Sequence, residues 1–299
     1  MEFNNYMGKF TTSGEVQTAI NNGDLLNPYV ALVDGEIDWN SKSIDYSKIP
    51  LTFEILSGGT ITWTSTNSKN ITTLEYSKNS GEWVEITSST SGTPITVSAG
   101  DTVQFRGNYT KSNNLFGDST AKYNIKGNIM SLIDKDNFAT TTNLTTSIFY
   151  KLFSSTYYYR NTGLIDASKL VLPATTLATG CYQQMFYGCT SLTNAPELPA
   201  STLALNCYSG MFRYCSSLTT APELPATTLT YGCYRDMFNG CTNLNHIECL
   251  ATDISASDCL TNWVSGVAST GTFVKNPSMT SWTEGNNGIP TGWTIQDNV

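Results

Sequence analysis

Apolar positions change their spacing along this chain. Over residues 49–130 they come in short runs rich in Thr, Val, Ile and aromatics: Leu51–Leu56, Thr60–Thr64, Thr73–Ser77, Glu82–Ile86, Pro94–Val97, Thr102–Arg106 and Lys122–Ile129. Gly58-Gly59, Asn79-Ser80-Gly81 and Gly100-Asp101 separate them. Short runs bounded by turn residues predict an all-β, Ig-like sandwich with one inner and one outer face. Trp63, Tyr76, Trp83 and Phe105 fall within these runs and are assigned to its core rather than to an exposed aromatic platform.

Residues 1–48 read as a small helix–hairpin docking unit. Thr12 with Glu15 forms a capping box, which predicts a helix over Ser13–Asn22 ending at Gly23. Asp34-Gly35 lies between Tyr29–Val33 and Glu36–Trp39, a strong hairpin signal because both turn positions need positive φ. One helix and one hairpin are too few to be stable alone, so the unit is expected to dock on a neighbour, a sister chain or another protein.

Beyond residue 130 the spacing becomes a repeat. LPATTLATGCYQQMFYGCTSLTNAPE starts at Leu172, LPASTLALNCYSGMFRYCSSLTTAPE at Leu198 and LPATTLTYGCYRDMFNGCTNLNHIEC at Leu224, a period of 26 without gaps. A decayed fourth copy keeps Leu250, Cys259 and Trp263 in register, and TGLIDASKLVLPA precedes the first as a degenerate copy. Such a period predicts a solenoid of the leucine-rich type over 131–299, with residues 268–299 as its cap. Positions 181, 182, 185, 186 and 189 are unvaried between copies, and their spacing predicts a helix with one inward stripe. Gly188 and Gly240 are read as helix C-caps. Tyr214 stands in that place in the middle copy, where a different turn or some strain is expected. The fold class is therefore multi-domain α+β: docking unit 1–48, sandwich 49–130, solenoid 131–299.

All eight Cys lie in the repeat region, seven of them at two repeat positions. Cys181 and Cys189 would stand two helical turns apart, too far for a disulfide, so the thiols are read as buried, reduced, small apolar fillers. Cys241, His246 and Cys249, with Cys233, are the sharpest metal alternative, but the spacing matches no standard zinc module.

Composition narrows the function. Lys and Arg number 16 against 24 Asp and Glu, a net charge of −8, with no basic cluster of the kind nucleic acids require. Charged residues are 13% of the chain, and Thr, Ser and Asn (44, 31 and 27) take their place, as on an extracellular protein. The single His, His246, weakens schemes that need a histidine base, and no phosphate loop or nucleophile elbow is present. No catalytic residue, cofactor or metal is assigned, and no stretch is long and apolar enough for membrane insertion. The start, MEFNNYMGKFTTSGEV, reads as no secretory signal, and no Cys precedes Cys181 to carry a lipid. Either a leader has been trimmed, or the protein leaves its cell by another route such as phage lysis.

The repeat units resemble the BspA-like leucine-rich repeats of surface proteins from gut Bacteroidetes and their phages. The likeness extends from Asn124–Phe138 through the copies to GIPTGWTI, loosening between Phe138 and Leu164. It implies a role in adhesion or host-surface recognition, without cofactor or catalytic residues. The opening GKFTTSGEVQTAINNGDLLNPYVALVDGEIDWN is similar to the N-terminal segment of virion structural proteins of Bacteroidetes (crAss-like) phages. Together these imply a non-enzymatic head or tail-associated fibre on the virion surface. It would be anchored to a capsid, portal or tail protein through residues 1–48 and be homo-oligomeric, with a trimer favoured. The alternative is a bacterial cell-surface adhesin whose leader has been removed.

Contacts to a host-surface glycan or protein are expected where the copies differ on a fixed frame. These positions are Gln183, Gln184 and Tyr187; Ser209, Arg213 and Tyr214; Arg235, Asp236 and Asn239. Helical spacing places them outward, and Tyr and Arg there are typical interface anchors. The bland reading is a solvated face that has drifted.

Overall fold

The computed structural model describes residues 31–33, 36–38, 44–66, 68–70, 72–110, 114–154 and 161–298. The chain divides into two compact units, Met1–Asp45 and Tyr46–Val299. In the first, β1 (Ala31–Val33) and β2 (Glu36–Asp38) pair antiparallel with Val33 opposite Glu36. The expected helix Ser13–Asn22 lies outside the described residues, which hold no helix–hairpin unit.

The second unit begins with β3 (Leu51–Ser57), β4 (Gly59–Ser65), β5 (Thr73–Lys78), β6 (Val84–Thr87), β7 (Thr93–Val97), β8 (Thr102–Gly107), β9 (Asn114–Leu115) and β10 (Lys122–Asn128). Seven of these fall on the runs read from the sequence. With β11 (Leu164–Val171) they form a six-stranded sheet, β11-β10-β3-β8-β5-β6, and a three-stranded one, β7-β4-β9. Leu51, Phe53 and Ile55 on alternate positions of β3 enter the core. Phe116 joins the sheets there, with its ring centroid 5.0 Å from Phe53 and 4.6 Å from Trp63. Trp83 differs from its core assignment: it is half-buried and lies under the Arg106 guanidinium at 4.0 Å, a cation–π contact that keeps one ring face in use without burial.

The α+β solenoid expectation is overturned. The described residues are nearly all β, and no helix among them reaches seven residues. In place of each expected helix runs a ribbon of turns with left-handed backbone at every fourth residue: Gly180, Gln184 and Gly188; Asn206, Gly210 and Tyr214; Gly232, Asp236 and Gly240; Asp258, Asn262 and Gly266. An α-helix cannot pass through such residues.

Hydrogen bonds show why the ribbon is stable. Odd-numbered amides of the first copy bond locally, as in Met185 N–H to Tyr182 O and Tyr187 N–H to Gln184 O. Even-numbered ones bond to the following copy: Tyr182 to Cys207 O, Gln184 to Ser209 O, Phe186 to Met211 O and Gly188 to Arg213 O, at 2.8–3.0 Å. Half of each ribbon thus behaves as a strand, and copies stack in parallel. Two aromatic columns follow: Phe149, Tyr182, Tyr208 and Tyr234, and Phe153, Phe186, Phe212 and Phe238, both closed by Trp263. Phe186 and Phe212 lie nearly parallel, with centroids 5.4 Å apart and a 2° tilt. That separation exceeds the ~4.8 Å between hydrogen-bonded strands, as offset stacking requires.

SIFYKLFS, around Phe149 and Phe153, is a further rung that the sequence pattern did not show. Its Phe149 and Phe153 amides donate to Cys181 O and Met185 O. Asn161 fastens this rung to the sheet. Its side-chain amide donates to Tyr123 Oη and Phe153 O, and its oxygen accepts from the Gly163 and Leu164 amides. The sheet itself runs on, because β11 pairs parallel with β10. At the far end Asn287 Oδ1 and Asn286 O accept from the Asn262 and Val264 amides, groups a further copy would otherwise take. A parallel sheet of β12 (His246–Cys249), β13 (Thr272–Lys275) and β14 (Thr294–Asp297) completes that end.

Candidate functional site

The ribbon's inward residues, such as Met185, Met211, Met237 and the aromatic columns, are fully buried. Outward positions recur in pairs, 183–184 and 187–188 in the first copy, and these stack into a strip across consecutive copies. All nine residues expected to face a partner lie on this strip. Their exposure divides them. Tyr187 and Ser209 are buried, at 7% and 8%. Gln183, Gln184, Arg213, Arg235, Asp236 and Asn239 are half-buried, and Tyr214 is exposed at 38%.

Five of the nine are linked to one another, and Arg235 and Gln184 contact other residues of the strip. The Arg213 guanidinium stands 5.0 Å from the Tyr214 ring centroid and 5.9 Å from that of Tyr187, and donates to Tyr214 Oη at 3.2 Å. The two tyrosine rings meet edge to face, 5.6 Å apart. Arg213 pairs with Asp236 of the next copy at 3.5 Å, and Asn239 donates to Asp236 at 3.2 Å. Arg235 pairs with Asp258 one copy further on, at 2.8 Å. Gln184 packs its Cγ over Gly210. Ion pairs this exposed contribute little stability, at most about 1 kcal/mol each. Their effect is to hold the rings and the guanidinium in fixed places.

Sequence reasoning missed Leu205 and Tyr231, exposed at 49% and 43% at one equivalent position of adjacent copies. With Tyr214 they make three of the six exposed large apolar side chains among the described residues, gathered on two adjacent copies of one strip. Scattered exposed apolar residues need no explanation; a gathering of them marks a contact surface. Their signal was present at position 179, where Thr179, Leu205, Tyr231 and Ser257 occupy one column and differ widely in size and apolar surface.

The cysteines form no part of this surface. All eight are buried and unbridged. Cys189, Cys215 and Cys241 donate their thiols to the carbonyls of Phe153, Phe186 and Phe212 in the preceding rung. Burial pushes the Cys181, Cys241 and Cys249 thiols up to about 12. Such thiols are inert towards electrophiles. Cys241 is thus engaged with a backbone carbonyl, and among the described residues no three His, Cys, Asp or Glu side chains converge to hold a metal ion.

A shallow cavity of about 260 Å³ lies elsewhere, beside β11, with Tyr46, Lys169 and Glu197 on its rim. No protein-family model, curated protein or solved structure matches the chain.

Proposed function

We propose that this chain is a non-catalytic phage virion appendage, a head or tail-associated fibre. Residues 1–48 hold it to a capsid, portal or tail protein, as one chain of a homo-oligomer, and the strip touches the bacterial surface. The carrying observation is the contrast between an unvaried, fully buried frame and a strip whose residues at 183, 184 and 187 change from Gln, Gln and Tyr to Ser, Gly and Arg and then to Arg, Asp and Asn in successive copies. A frame fixed by backbone bonds between copies presents these side chains with little ordering entropy left to lose on binding. The separation of Met1–Asp45 as a unit of its own supports a division between attachment and contact. The likeness of the copies to repeats of gut-bacterial and phage surface proteins supports the setting.

The full-length protein, used as bait in a lysate of phage-infected Bacteroidetes cells, tests this. Retention of a capsid, portal or tail protein, identified by mass spectrometry, is the expected result. Retention of bacterial envelope components alone would assign the chain to the bacterial surface as an adhesin.

A further inference from the structure

Twelve positions in the four copies take left-handed backbone, and ten of them are Gly, Asn or Asp, the residues that tolerate it. Besides Ser147 and Lys151 in the preceding rung, the exceptions are Gln184 and Tyr214, at φ 56° and 64°. These two sit on adjacent copies, with Gly210 and Arg213 between them. A Cβ on Gly210 would lie 3.2 Å from Gln184 Cγ and 4.0 Å from Arg213 Cβ. The same cluster holds two buried polar atoms without a hydrogen-bond partner, Gln184 Oε1 and Arg213 Nε. Strain and unpaired polar groups are both destabilising, and both concentrate where a protein keeps a site ready for a ligand. The Tyr214 ring packs one edge on Gly240 and remains exposed at 38%.

We propose that Gln184, Arg213 and Tyr214 form a saccharide subsite, resting on the reading of the strip as the contact surface. The cluster offers one acceptor, one donor and an exposed aromatic ring. An apolar peptide side chain would occupy the ring and leave Gln184 Oε1 and Arg213 Nε unpaired. Sugar hydroxyls donate and accept alike, so two neighbouring hydroxyls meet both atoms while a C–H face of the pyranose covers the ring. Gln184 and Arg213 are each partly exposed, which places both side chains at the boundary with solvent where a saccharide would approach.

The copies themselves supply the test. Tyr214→Gly installs the residue found at the equivalent positions 188 and 240, and Gln184→Gly the one found at 210, so both relieve strain without disturbing the frame. Full-length protein and both variants are titrated onto immobilised purified capsular polysaccharides and lipopolysaccharides from gut Bacteroidetes. The same proteins are titrated onto intact cells treated with periodate or with protease. Wild type binds at least one polysaccharide. Each variant loses tenfold or more in affinity with a melting temperature equal to or above wild type, and periodate abolishes cell binding. Full binding by both variants overturns the subsite while leaving the strip reading in place. Cell binding that protease removes and periodate spares overturns the saccharide assignment in favour of a protein partner. No wild-type binding to any cell overturns the strip reading and the subsite with it.

Discussion

Tyr214 sets its ring edge against Gly240 of the next copy: a Cβ on Gly240 would stand 2.3 Å from Tyr214 Cδ1 and 2.8 Å from Cε1. Gly240 also has φ +77°, where a side chain is strained whatever the space. Gly240→Ala is therefore expected to lower stability by about 1–3 kcal/mol and to displace the Tyr214 ring. Gly100→Ala isolates the backbone contribution, because Gly100 has φ +88° with nothing within 4 Å. Denaturant unfolding of both variants should show the larger loss at Gly240; equal losses would mean the Tyr214 contact carries no energy.

The aromatic columns predict a second result. Phe212 is fully buried between Phe186 and Phe238, so Phe212→Ala leaves a cavity in the middle of the stack. The expected loss is about 3–5 kcal/mol by equilibrium unfolding. A loss under about 1 kcal/mol would show that neighbouring rungs collapse onto the gap.

Thiol chemistry gives a third. Burial raises the thiols of the folded chain, to about 12 at Cys181 and about 11 at Cys233, above their ordinary value near 9. A thiol raised on folding contributes stability that is complete below the unfolded value and is lost as pH rises towards the folded one. The melting temperature should therefore fall as pH rises from 9 towards 11. Native protein at pH 8 should leave all eight cysteines unreactive to a maleimide and expose all eight on denaturation. Labelling of any cysteine in the folded state would contradict the ladder.

Acid acts through the opposite sign. The Asn79 amide, the Lys78 ammonium and the Ser98 N–H all donate to the Asp101 carboxylate and hold it at about 2. A carboxyl lowered on folding contributes stability present above its ordinary value near 3.8 and lost as pH falls towards 2. Asp101→Asn should lower the melting temperature at pH 7 and flatten its decline between pH 4 and pH 2. An unchanged acid limb would remove Asp101 from the account.

Much of this fold was legible in the chain. Runs such as Thr102–Arg106 alternate inward and outward and became β8, and the gapless period of 26 became the stack of copies. The ribbon was not legible as such, for a geometric reason. Positions 181, 182, 185, 186 and 189 fall on one face of a 3.6-residue helix and on one face of a four-residue turn repeat, and nine residues are too few to separate the two periods. The separating signal was Gly, Asn or Asp recurring every fourth residue, as at 232, 236 and 240. The rung at Phe149 and Phe153 stayed hidden because it lacks the cysteines and the period that marked the others. Within the strip, variation between copies located the right surface but not which members reach solvent. Tyr187 and Ser209 are covered by their neighbours, and the exposure of Leu205 and Tyr231 follows from the stacking of the copies.

Cell binding by the strip is the central claim. Labelled full-length protein titrated onto intact gut Bacteroidetes cells should bind saturably, and Arg213→Glu with Arg235→Glu should abolish that binding while the thermal transition persists. Lys122→Glu, at the start of β10 and exposed, should bind as wild type. Equal binding by all three proteins would contradict the account.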